Sequence, residues 1–157
     1  MNSTPSRLTA EDRLEIQDLY ARYNNAIDVV DAQTWGGCFT PDGIYHGRSP
    51  QTGREELIEF ALGRPSTPDR MAYENLQHWN NNLVVWPTPE GAEAQVFLMR
   101  IAQHRQTKRM EILTIARYVD VLRVHEGRWL FQSRRVVFDM AQPEPIPPAE
   151  RVSNRGR

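Results

Sequence analysis

The sequence predicts an α+β fold: N-terminal helices packed on a strongly curved, mainly antiparallel sheet, together forming a cone. Apolar residues recur at helical spacing through the first part of the chain, and from Leu76 onward long β-rich runs follow one another across short turns. Helices first and strands second is the order of an α+β domain with its helices on one face of the sheet, not of alternating βα units.

The first helix opens on a capping box, Thr9 with Asp12 three residues on, the acidic variant of the motif. Ile16, Leu19, Tyr20, Tyr23, Ile27 and Val30 continue at its spacing, which predicts a helix over 10–29. Asp31 caps a second, short helix holding Trp35, Cys38 and Phe39, and Thr40-Pro41-Asp42-Gly43 reads as the turn that ends it. Ile44, Tyr45 and His46 make a short strand. A third helix starts at Gly53 to Glu56, with Leu57, Ile58, Ala61 and Leu62 as its buried stripe. Four strands follow, over 76–86, 92–105, 109–124 and 128–139, and the turns at 87–91 and 125–127 make them hairpins of a meander. A bent sheet closed by helices encloses an apolar pocket, the usual setting for a small-molecule site. The expected organisation is an N-terminal arm (1–8), one domain (9–141), and an extended or disordered tail (142–157) marked by Pro143, Pro145, Pro147 and Pro148.

Composition narrows the function classes. At 157 residues the chain is one ordinary domain. Its 19 basic and 20 acidic residues nearly balance, so it carries no footprint for nucleic acid or an anionic membrane. No apolar run reaches the roughly 18 residues that would cross a bilayer. The opening MNSTPSRLTAEDR has no apolar leader core, which points to a cytoplasmic location. Cys38 is the only cysteine, which rules out an internal disulfide and a thiolate metal cage and leaves it as filler on an apolar helix face. His46, His78, His104 and His125 are scattered without metal-ligand spacing, so neither a metal nor a cofactor is expected. A Gly-rich phosphate loop and a G-x-S-x-G elbow are both lacking.

The candidate chemistry lies in Tyr23 and Asp28 near the end of the first helix and in His78 at the start of the first long strand. These converge only if the helix packs across the mouth of the sheet. His78 is the candidate base, since its ordinary pKa of about 6.5 lies near neutrality. Asp28 would orient it, and sits in a helix's last turn, where the dipole disfavours negative charge. The plain alternatives are a core tyrosine, a capping aspartate and a structural histidine. Tyr23 and Tyr45 are candidate hydrogen-bond donors. Arg134 lies mid-strand, where a charge inside the cone is costly unless paired, and Arg135 points to the other face. Arg100 and His104 share the parity of Val96, Leu98 and Ala102, and Asn80 and Asn82 share the face of His78, which makes all four candidate substrate-binding residues.

Four stretches, EDRLEIQDLYARYNNAID, WGGCFTPDGIY, HWNNNLVV and GRWLFQSRRVVFD, stand in an order that resembles the nuclear transport factor 2-like superfamily, and within it the SnoaL-like group. The resemblance covers residues 8–139. That superfamily holds scytalone and bile-acid dehydratases, hexachlorocyclohexane dehydrochlorinase, isomerases, polyketide cyclases, cofactor-free lyases of lignin-derived diaryl diols, and the non-catalytic β-subunits of ring-hydroxylating dioxygenases. Its lyases use an Asp on the first helix and a His on the first long strand, which Asp28 and His78 match. Arg134 matches a basic residue used near the leaving group. Tyr23 matches a tyrosine of the dehydratases where the dehydrochlorinase has a lysine, which makes halide elimination the lesser expectation. The resemblance therefore implies a cofactor-independent lyase, performing dehydration or deformylation on a small hydrophobic aromatic or polycyclic hydroxylated compound. Two alternatives stand beside it: an isomerase or cyclase using Asp28 alone as base, and a non-catalytic binding or assembly subunit. A homo-oligomer, dimer or trimer, is expected because exposed faces of curved sheets often pair.

Overall fold

The computed structural model describes residues 7–141 and 145–148. The elements run α1 (Ala10–Val29), α2 (Ala32–Gly37), β1 (Phe39–His46), β2 (Pro50–Thr52), α3 (Gly53–Gly63), a single 3₁₀ turn (Arg64–Ser66), α4 (Pro68–Ala72), β3 (Tyr73–Thr88), β4 (Gly91–His104), β5 (Met110–His125) and β6 (Arg128–Val137). The six strands form one sheet in the order β2-β1-β6-β5-β4-β3. The meander β3 to β6 is antiparallel throughout, and β1 joins it parallel to β6. Register shifts at Glu74/Gln77, Asn81/Val84, Arg100/Ile101 and Val121/Leu122 bend these long strands into a curved, unclosed sheet.

The capping box that opens α1 is complete: the Thr9 hydroxyl accepts from the Asp12 amide at 3.0 Å, and the Asp12 carboxylate accepts from the Thr9 amide at 2.8 Å. One face of α1, with Ile16, Leu19, Tyr20, Tyr23 and Ile27, is buried against the concave side of the sheet. That side carries Ala92, Ala94, Ala102 and Ala116, all fully buried, whose small side chains let the helices enter the curve. α1 stops at Val30 in the left-handed conformation (φ 60°), and the Asp31 carboxylate then caps α2 by accepting from the Thr34 amide at 3.0 Å.

Two expectations change. Thr40-Pro41-Asp42-Gly43 lies inside β1 as an irregularity opposite β6, because a Cβ at Gly43 would come within 2.8 Å of the Phe39 Cβ and 3.1 Å of the Phe131 carbonyl. Close approach of two backbones, not a chain reversal, is what this glycine serves. Leu62 is 61% exposed, so the buried stripe of α3 narrows to Leu57 and Ala61, with Ile58 partly covered. The stretch 64–72 folds into the 3₁₀ turn and α4, both of which begin with Pro near the first position, where a missing amide costs nothing. Of the C-terminal segment, the described residues 145–148 lie in neither helix nor strand, and the Pro145 carbonyl accepts from Gln95 Nε2 at 3.2 Å.

Candidate functional site

Asp28 and His78 meet where the end of α1 crosses β3. His78 Nδ1 lies 2.6 Å from one Asp28 oxygen, and the His78 backbone amide donates to the other at 3.0 Å. The second contact follows from topology: β3 is an edge strand, so outward-facing amides lack a neighbouring strand, and Asp28 supplies the acceptor. Both carboxylate oxygens are thereby held. With Nδ1–H donated to Asp28, Nε2 is the nitrogen left with a free lone pair, the tautomer a general base requires. Burial pushes the His78 pKa below its ordinary 6.5, and nearby Arg100 and Arg64 add to this against the opposing pull of Asp28, so the ring is neutral at neutral pH.

The unfavourable dipole at the end of α1 is answered by α4. Arg70 donates through its two terminal nitrogens to the carbonyls of Ile27 (2.6 Å) and Asp28 (2.7 Å), closing the last turn with a cation. Asp28 therefore occupies a helix end that is independently capped.

His78 borders a cavity of about 410 Å³. Tyr23, Tyr45, Tyr118, Phe60, Ile27 and Leu98 form most of its wall, and Arg64, Asp69, Arg100 and Thr114 its polar part. Tyr23 is packed among Trp35, Phe39, Tyr118 and Phe131, with ring centroids 5.4 to 6.0 Å away, so it is both a core residue and part of the wall. Tyr45 packs on Trp35 and Phe60. Burial raises the pKa of all three tyrosines, which stay protonated and able to donate. Arg100 enters the cavity as its parity predicts, pairing with Asp69 (2.9 Å) and reaching the Thr114 hydroxyl (3.3 Å).

Four expected site residues are placed elsewhere. Arg134 is fully buried but lies beneath the wall and does not line the cavity. It makes a two-pronged ion pair with Asp120 (2.8 and 2.7 Å) and sits 3.9 to 4.7 Å from the ring centres of Phe131, Tyr118, Tyr23 and Tyr20. Tyr20 donates its hydroxyl to the same carboxylate. Its charge is spent on Asp120 and four aromatic faces. Arg135 is on the exposed side of β6. Asn80 accepts from Asn24 Nδ2 (2.5 Å) and donates to the Phe97 carbonyl (3.0 Å). It borders, with Asn82, a separate hollow of about 650 Å³ between α1 and β3. Strand parity puts Asn80 and His78 on one side, but α1 lies across that side and separates the two hollows, both of which His78 touches. Asn82 is exposed at a left-handed position (φ 59°) next to the register shift, which breaks its alternation. His104 closes the β4–β5 turn, its Nδ1 accepting from the amides of Gln106 and Thr107 at 3.3 Å and its ring against Tyr73, because the strand ends there before reaching the cavity.

Sequence reasoning missed Arg64, Asp69 and Arg70. The available signal was the run Arg64-Pro65-Ser66-Thr67-Pro68-Asp69-Arg70, three charges bracketing two prolines just before the strand that carries His78. Among the described residues, no three His, Cys, Asp or Glu side chains are grouped as a metal site, and no helix is long and apolar enough to cross a membrane.

Comparison with known proteins agrees with this architecture. A protein of unknown function from Mycobacterium tuberculosis superposes with a TM-score of 0.72 at 26% identity, covering 82% of this chain and 72% of that one. ActVI-ORFA from Streptomyces coelicolor gives 0.75 at 20% identity, covering 86% and 100%. A nuclear transport factor 2-like protein with a cystatin-like fold from Novosphingobium aromaticivorans gives 0.69 at 21%, covering 83% and 84%. Comparison with curated proteins finds no match. The model of the SnoaL-like domain matches residues 8–135, the span that holds α1, the whole cavity wall apart from Val136 and Phe138, and the Asp28–His78 pair, and the chain belongs to the SnoaL-like family.

Proposed function

We propose that this protein is a cofactor-independent lyase that eliminates a hydroxyl or hydroxymethyl group from a small, hydrophobic, aromatic or cyclic compound. The observation that carries the reading is the Asp28–His78 contact at 2.6 Å on the border of an aromatic-walled cavity, with the His78 pKa displaced downward. In the dehydration case His78 Nε2 takes a proton from the carbon next to the leaving group. The C–H electron pair becomes the new double bond as the C–O bond breaks, and the imidazolium returns its proton so that water leaves. Asp28 stabilises the transient imidazolium. Arg100, with the Tyr45 and Tyr23 hydroxyls, faces the charge that develops on the substrate, the role first expected of Arg134. The alternative in which Asp28 alone is the base is less favoured, because both its oxygens are engaged by His78.

The test is turnover in EDTA-treated buffer on hydroxylated aromatic, diaryl and steroid-like substrates, followed by the absorbance of the new conjugated double bond. His78→Ala should lose about 10²–10⁴-fold in rate, the usual contribution of a general base. Asp28→Asn should keep the fold and lose most of the rate. Full turnover by either variant would end the dyad reading. Silence of the well-folded wild type on every substrate would favour a binding or assembly module.

A further inference from the structure

Three guanidinium groups, Arg48, Arg64 and Arg100, line the cavity and their charge is only partly answered. Arg100 pairs with Asp69 and reaches the Thr114 hydroxyl. Arg64 lies over the Phe60 ring at 5.7 Å and pairs with no carboxylate among the described residues. Arg48, exposed at the rim, lies over Phe138 at 5.3 Å and likewise has no acidic partner among them. Against these three cations stands one lining carboxylate, Asp69, and His78 is neutral. The cavity thus holds an excess of two positive charges in a chain whose formal net charge is -1.

Such an excess is unfavourable wherever the groups are partly removed from water. Arg64 is half-buried against the Phe60 ring, and burial together with the neighbouring Arg100 pushes its pKa below the ordinary arginine value. A half-buried cation without an acidic partner is stabilised by an anion placed against it. The planar guanidinium fork matches a carboxylate in two parallel hydrogen bonds. The opposite requirement, an apolar body, is set by Phe60, Leu98 and Ile27.

We propose that the cavity takes a carboxylate-bearing cyclic compound, its carboxylate on Arg64 and its ring against Phe60 and Leu98, with Arg48 attracting it at the rim. This names the substrate class of the site assigned above and rests on that assignment for its catalytic meaning, but binding can be read without turnover.

The experiment is calorimetric titration of 2-naphthoate and its neutral counterpart 2-naphthamide into wild type, Arg64→Gln and His78→Gln. Naphthoate should bind wild type at least about tenfold more tightly than naphthamide, as a charge-assisted hydrogen-bonded pair predicts. Arg64→Gln should remove that preference by weakening naphthoate alone, and His78→Gln should keep it. Should Arg64→Gln not fold, salt dependence in wild type decides: naphthoate binding must weaken with ionic strength while naphthamide binding does not. Equal affinities, no binding of either compound to folded protein, or a preference that survives Arg64→Gln would overturn the proposal. A silent substrate panel with the naphthoate preference intact would remove the lyase reading and leave the carboxylate site. Turnover of neutral substrates without that preference would do the reverse.

Discussion

At His78 one ring nitrogen is tied to a carboxylate and the other borders an apolar-walled cavity, so protonation costs more there than in water. The sign of the pH dependence follows. The folded pKa is below 6.5, so a general base at His78 would keep its lone pair as pH falls from neutrality, and under the proposed function the acid limb of kcat/KM should fall below pH 6.5. Stability moves with it: the unfolded chain binds the proton more readily, so this contribution is full above 6.5 and is lost as pH falls through the folded pKa. Urea midpoints should therefore drop below pH 6.5, with a shallower slope in His78→Gln. Arg134 is governed by pairing instead. Removing it leaves the Asp120 carboxylate buried with only Tyr20, so Arg134→Leu should cost about 3–5 kcal/mol by urea unfolding. The double variant with Asp120→Leu should recover most of that loss. A double variant no more stable than the single one would refute this account.

Among the elements, α1 aims the site and α4 secures it. Arg70 touches neither His78 nor the cavity wall, yet it holds the carbonyls next to Asp28. Arg70→Gln should lower kcat while leaving KM nearly unchanged, because the carboxylate that orients His78 loses its fixed helix end. Val30 is a β-branched residue at φ 60°, an arrangement that costs roughly 1–2 kcal/mol for a side chain bearing a Cβ. Val30→Gly should therefore raise the urea midpoint, by about 1 kcal/mol of stability, after the loss of its partial burial. A lower midpoint would show that the Val30 contacts outweigh the backbone.

For the whole molecule, the sheet has two unlike faces. The concave face is lined by alanines and aromatics under α1. The outer face presents Trp79, Met99 and Ile115 in one register row, with Phe97, Ile101 and Ile112 beside them, and four of these six are exposed. An apolar patch of this kind is expected to be covered by a second copy. Sedimentation should show a species larger than 18.2 kDa that shifts toward monomer in Ile115→Glu.

Much of this molecule is written in short-range signals. The capping box at Thr9 and Asp12, the spacing from Ile16 to Ile27, and the alternation within the four long strands each depend on residues a few positions apart, and periodicity reports them directly. The pairing of Asp28 with His78 was legible as a candidate because a helix-end acid and a strand-start imidazole matched a known order of elements. What only the tertiary structure decided concerns partners distant in sequence. Arg134 faces inward, as parity allowed, but Asp120 and the rings around it determine that it stays in the core. Asn80 shares the side of His78, but the path of α1 over β3 puts it in another hollow. Arg64 and Arg70 sit in a proline-broken stretch without period, and their roles appear only when the α3–α4 segment folds against the end of α1 and the mouth of the sheet. Sequence period specifies which side of an element a residue occupies, whereas the charge that meets it there is set by elements folding in from elsewhere, and in this protein that difference separates a core arginine from those at the cavity.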